Sequence, residues 1–155
     1  MIRIQAVGLY APDFGSGETR LGDATIIDDG KNFDVIDGYC GSGASRLIAA
    51  LKTRGIKNPY LHITHPHWDH RDGIRKIINN SYFKPRGLYC QNPSSITAHN
   101  SDIKGDIDAL NTVIREAKAK GIPVIYLKNG DKIVHGDIKF TVYRDNPSYN
   151  GNSDA

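Results

Sequence analysis

The segment Thr64-His65-Pro66-His67-Trp68-Asp69-His70 constrains this chain more than any other stretch of it. It puts four metal-ligand side chains within six positions, and four of the chain's six histidines fall between His62 and His70. Before it, Tyr60 to Ile63 reads as a short buried strand after Pro59. After it, Ile74, Ile77 and Ile78 recur at the i, i+3, i+4 spacing of a helix face. A strand on one side and a helix on the other hold the connecting loop rigidly, which an incidental polar tract would not need. On an extended segment residues i and i+2 point the same way, so His65 and His67 can converge on one ion. On a helix that pair would point about 200° apart, and Pro66 disfavours a helix here. Asp69 and His70 sit where the chain turns into the helix and can serve a neighbouring second ion. Imidazole nitrogen with carboxylate oxygen suits zinc, with iron or manganese as alternatives. His62 lies on the strand, out of phase with His65, and reads as a packed or hydrogen-bonded histidine rather than a ligand.

The rest of the chain alternates strand-like and helix-like segments, which predicts an α/β architecture. Ile2 to Leu9 is a strand candidate, followed by a Gly/Pro-rich loop from Ala11 to Glu18. Asp23 to Asp28 and Phe33 to Asp37 flank Asp29-Gly30-Lys31, a hairpin signal. A glycine-rich turn from Gly38 to Gly43 leads into a helix with Leu47, Ile48 and Leu51 on one face, with Ser42 or Ser45 as its cap and Arg54-Gly55 as its stop. Gly87 to Cys90 is a further strand, and Gln91 to Lys104 a polar loop. Leu110, Val113, Ile114 and Ala117 mark another helix. Pro123 to Leu127 and Ile138 to Tyr143 are strands joined through a turn at Lys128-Asn129-Gly130-Asp131, and Asp145 to Ala155 is a polar tail.

Composition narrows the classes. At 155 residues and 17.1 kDa the chain fits one domain over 1–155 with a real core. No apolar run is long enough for a membrane span, and no secretory signal follows Met1. Two cysteines, Cys40 and Cys90, make no disulfide scaffold and no CxxC motif; both read as small buried side chains. Gly38 to Gly43 lacks both the dinucleotide and the P-loop spacing. A net charge of +3 permits an anionic substrate without predicting nucleic-acid binding. The absence of a signal peptide points to the cytoplasm, or to release without one in the manner of phage-type cell-wall enzymes.

The HxHxDH pattern after a short strand resembles the signature of the metallo-β-lactamase-fold hydrolases. Gly22-Asp23-Ala24 before a strand, then Val35-Ile36-Asp37-Gly38, a helix and Thr64-His65-Pro66-His67-Trp68-Asp69-His70 look like the branch containing the DNA-uptake competence protein domain and its stand-alone relatives. Asn129-Gly130-Asp131-Lys132-Ile133 and Asn150 to Ser153 follow in the same order, more loosely. The resemblance implies an αβ/βα sandwich with metals at one edge of its sheets. It also implies that His65 and His67 hold a first metal and that Asp69 and His70 hold a second, with Asp69 as the catalytic carboxylate. Asp37 would support the metal loop from behind; a plain turn residue before Gly38 is the open alternative. Relatives take further ligands, a bridging aspartate and another histidine, from the second half of their fold, so the expectation is the N-terminal part of a longer hydrolase. His99 and His135 are read as solvated loop histidines, and Asp154 as a terminal residue that could still ligate.

The implied chemistry is a two-zinc hydrolase acting on a phosphodiester-type bond, in nucleic acid or in a cell-wall polymer. The rival reading is a catalytically incomplete metal-binding module, whose exposed sheet face would favour a homodimer. Trp68 is read equally as a substrate platform or a packing wedge. Arg71, Arg75 and Lys76 form a solvated helix face, with contact to an anionic substrate as the alternative.

Overall fold

The structure, a computed structural model, describes residues 1–6 and 23–143. The loop expected over Ala11 to Glu18, Gly22 of the first motif, and the Asn150 to Ser153 stretch with Asp154 lie outside the described residues. Eight strands and three helices are described. In chain order they are β1 (Arg3–Ala6), β2 (Thr25–Asp28), β3 (Phe33–Ile36), α1 (Gly41–Thr53), β4 (Tyr60–His62), α2 (Trp68–Ile78), β5 (Gly87–Gln91), α3 (Ser101–Ala119), β6 (Val124–Leu127), β7 (Lys132–His135) and β8 (Ile138–Thr141). A short 3-10 turn, Pro93–Ser95, lies between β5 and α3.

Six strands form one sheet in the order β1-β2-β3-β4-β5-β6. β1, β2 and β3 run antiparallel, and β3 to β6 run parallel. Each parallel neighbour is reached through a helix, always stepping in the same direction across the sheet. Right-handed crossovers therefore place α1, α2 and α3 on one face. Strand alternation sends Ile26, Val35, Leu61, Leu88 and Cys90 to that face, where they join Leu47, Leu51, Ile74, Ile77, Leu110, Val113 and Ala117 in one core. The α/β expectation and the three helix faces hold, and no helix among the described residues is long and apolar enough to cross a membrane.

Several local expectations need correcting. Ser42 and Ser45 lie inside α1 and do not cap it; the helix starts at Gly41, whose φ of +50° suits glycine, after Cys40. The polar loop predicted to run to Lys104 ends sooner, because the Asn100 side chain accepts a hydrogen bond from the Ile103 amide and starts α3 at Ser101. The turn at Lys128–Asp131 leads into β7, a strand the sequence reading skipped. Ile133 and His135 are buried there while Lys132 and Val134 are exposed, a period-2 pattern only four residues long. β7 and β8 pair as a separate hairpin.

On the sheet face turned away from the helices, Ile27, Ile36, Ile125 and Leu127 are half-buried, and Ile4, opposite Ile27, is 71% exposed.

Candidate metal centre

The histidine loop begins where two parallel strands end side by side. Ile36, the last residue of β3, pairs with His62, the last of β4, so Asp37 and Thr64 emerge at the same sheet edge. The Asp37 amide donates to the His62 carbonyl at 2.9 Å. Its carboxylate, 5% exposed, then gathers the loop. Oδ1 accepts from the Thr64 amide at 2.8 Å. Oδ2 accepts from the Thr64 hydroxyl at 2.6 Å and from His70 Nδ1 at 2.8 Å. Asp37 is therefore the support behind the loop, not a plain turn residue.

Asp37 and Tyr39 both have left-handed backbones, with φ of +56° and +60°, strain of about 1–3 kcal/mol each. What holds them there is contact with α2. Gly38 N donates to the His70 carbonyl at 2.8 Å, and Gly73 N donates to the Tyr39 carbonyl at 2.9 Å. A Cβ on Gly73 would lie 1.7 Å from the Gly38 oxygen, so the two backbones meet where only glycine fits. This contact fixes the first turn of α2, and with it Asp69 and His70, against Asp37.

The structure brings all four sequence-predicted ligands to one loop and helical turn. The His65 and His70 ring centroids lie 3.8 Å apart, and those of His65 and His67 4.8 Å apart. Asp69 Oδ2 is 3.6 Å from His70 Nε2. Three imidazoles and a carboxylate, one imidazole oriented through its other nitrogen by a buried aspartate, are a donor set that fits zinc or a similar borderline ion. Burial first, then the neighbouring His70 and His67, push the His65 pKa down to about 4, so its ring is neutral at neutral pH. Burial opposes protonation of His70, but the hydrogen bond and charge of Asp37, together with Asp69 and Asp23, outweigh it and raise its pKa.

Two neighbours went unseen in the sequence. Asp106, on α3, places Oδ2 3.8 Å from His67 Nε2 and Oδ1 3.4 Å from Arg71. Arg71 also donates through Nε to the Pro66 carbonyl at 2.8 Å. Arg75 pairs with Glu116, and Lys76 with Asp72. All three cations make helix or loop contacts, with Arg75 and Lys76 still partly exposed. Trp68 is 44% exposed at the start of α2, which leaves part of its ring open to solvent beside the loop. Cys40 and Cys90 are buried, as expected, and His99 is exposed in its loop.

His135 corrects the sequence reading. It is not a solvated turn residue: it ends β7 and is 6% exposed. Its Nδ1 lies 2.8 Å from Asp34 Oδ1, and its Nε2 2.9 Å from the Tyr89 hydroxyl. His62 is hydrogen-bonded, with Nε2 2.6 Å from the same Asp34 oxygen. Asp34 was the second unseen neighbour. Its one sequence signal is alternation, since a buried Val35 facing the helices sends Asp34 to the opposite side.

Solved structures give a likeness at this level of architecture. A Thermotoga maritima protein described as a candidate metallo-β-lactamase matches over 86% of this chain and 61% of its own, at 17% identity and a TM-score of 0.51. The fold is metallo-β-lactamase-like. The metallo-β-lactamase fold protein YhfI from Bacillus subtilis matches over 90% of this chain and 51% of its own, at 14% identity and a TM-score of 0.50. The chain thus spans less than two thirds of the length of either neighbour. No family model and no curated protein matches the sequence.

Proposed function

We propose that this chain carries the metal centre of a hydrolase with the metallo-β-lactamase fold, with His65, His67, Asp69 and His70 as ligands of one or two zinc ions. The observation that supports it most directly is the Asp37 carboxylate, bonded to Thr64 at the loop's start and His70 at its end. A bound divalent metal would supply a hydroxide nucleophile at neutral pH and polarise the scissile bond. The chain's own residues prepare that site. Asp37 keeps the proton on His70 Nδ1 and leaves Nε2 directed toward Asp69. Burial keeps His65 unprotonated. Asp69, in the proposal, is the catalytic carboxylate. The exposed Trp68 offers a flat apolar surface beside the ligands.

The finer proposal is a phosphodiester-type substrate, in nucleic acid or a cell-wall polymer, in line with the resemblance to the competence-protein branch and the mild positive charge. The alternative is a metal-binding module without turnover. The partly exposed isoleucines of the outer sheet face favour self-association for that reading, and a clean monomer in sedimentation would count against it.

Metal content per chain, measured by inductively coupled plasma mass spectrometry on the wild type and on His67→Ala, tests the centre. Bound zinc, iron or manganese that falls in the variant supports it, and equal content in both overturns it. Turnover of bis(4-nitrophenyl) phosphate then tests the substrate class. Turnover of a chromogenic β-lactam or a thioester, with the phosphodiester untouched, would replace the finer proposal.

A further inference from the structure

On the sheet face opposite the helices, three strands bring ligand-type side chains to one buried point. Asp34 comes from β3, His62 from β4 and His135 from β7, at 0%, 7% and 6% exposure. Among the described residues, these are where three such ligand atoms lie within 4.8 Å of one another. They are separate in role from the histidine loop, whose supporting carboxylate is Asp37.

Hydrogen bonding alone leaves this cluster incompletely satisfied. Asp34 Oδ1 is shared by His62 Nε2 at 2.6 Å and His135 Nδ1 at 2.8 Å. Asp34 Oδ2, equally buried, has no hydrogen-bond partner. A fully buried carboxylate with one oxygen shared by two imidazoles and the other orphaned is costly, and such an atom calls for a partner, a role that a metal ion fills. The arrangement around His135 suits a metal ligand. Its Nδ1 faces the carboxylate while Nε2 is held by the Tyr89 hydroxyl, the outer contact that fixes ring and tautomer in metal sites. The Tyr60 ring stacks on it at 3.5 Å and 7°.

We propose that Asp34, His62 and His135 bind one divalent transition-metal ion, of the zinc class, that clamps the β7–β8 hairpin onto the main sheet. Two imidazoles and one carboxylate select a borderline ion; calcium and magnesium, which take oxygen ligands, are excluded by the donor set. Asp34 Oδ2 is the oxygen that gains a partner. His135 is the hairpin's ligand in the site, so metal binding adds a tie from β7 to β3 and β4 beyond the burial of Ile133 and Ile138 and the hydrogen bond from the Asp137 amide to Asp29 Oδ2 at 2.9 Å.

The test uses the full chain with the loop disabled by His65→Ala, His67→Ala and His70→Ala together. This separates failure of the present inference from failure of the proposed function. Titration with Co2+ should give one equivalent and a visible d–d absorption, and Zn2+ should displace it. Adding His135→Gln, or Asp34→Asn, should weaken binding by at least tenfold. No binding to the loop-disabled chain, or binding unchanged by both additions, overturns the site. If those additions unfold the chain, backbone hydrogen exchange over 132–141 in the loop-disabled parent decides. Zn2+ should slow it at least tenfold there, and an unchanged rate overturns the clamp.

Discussion

Asp37 Oδ2 accepts a hydrogen bond from His70 Nδ1 at 2.8 Å, although 33 residues separate the two. The contact depends on β3 and β4 ending level at one sheet edge and on the Gly38–Gly73 approach, which brings the first turn of α2 back against the Asp37 turn. It fixes which nitrogen of His70 is left for a ligand.

Asp37→Asn keeps the shape of the side chain but removes its charge. The variant should fold and bind zinc about 10- to 100-fold more weakly, the usual cost of losing a partner behind a ligand. Competition with a chromophoric chelator measures it; unchanged affinity would remove Asp37 from the centre.

The glycine contact gives a paired stability prediction. Gly73→Ala forces a Cβ into the Gly38 carbonyl and should cost more than about 2 kcal/mol in urea unfolding, with loss of metal binding. Gly105→Ala, inside α3 with open space around its Cβ, should instead stabilise by about 0.5–1 kcal/mol. Equal effects of the two would show that the Gly38–Gly73 approach is not tight in solution.

The lowered pKa of His65 predicts a pH dependence for the metal-free chain. Its folded value, about 4, lies below the ordinary histidine value, so the unfolded chain binds the proton more readily. The stability it contributes is full above about pH 6.5 and is lost as pH falls toward 4. Urea unfolding across that window should show a falling difference between wild type and His65→Gln. A difference that rises toward low pH would mean the ring is not buried as described.

Both thiols should resist alkylation in the folded protein. Burial pushes the Cys90 pKa up to about 12, and Cys90 is fully enclosed in the core. Burial also raises that of Cys40, with the charges of Asp69 and Asp72 adding to it. At pH 8, iodoacetamide should label Cys90 at the rate of global unfolding. Labelling faster than unfolding would reveal local opening of β5.

The histidine loop was legible because its information is local. His65, His67, Asp69 and His70 lie within six residues, Pro66 disfavours a helix through His65 and His67, and the isoleucines of α2 repeat at helical spacing. The core faces of α1 and α3, the β2–β3 hairpin and the α/β alternation are short-range patterns of the same kind. The tetrad Asp34, His62, His135 and Tyr89 was not legible, since its members sit up to 101 residues apart and each looks ordinary in its own segment. The sequence by itself determined the α/β layout and where the ligand-rich loop lies, because periodicity and steric restriction act over a few residues. Only the tertiary structure decided that Asp37 holds His70, that Asp106 reaches His67 from α3, and that β7 buries His135 against Asp34. Those contacts arise from strand register and helix docking, which cooperative packing of the whole core sets.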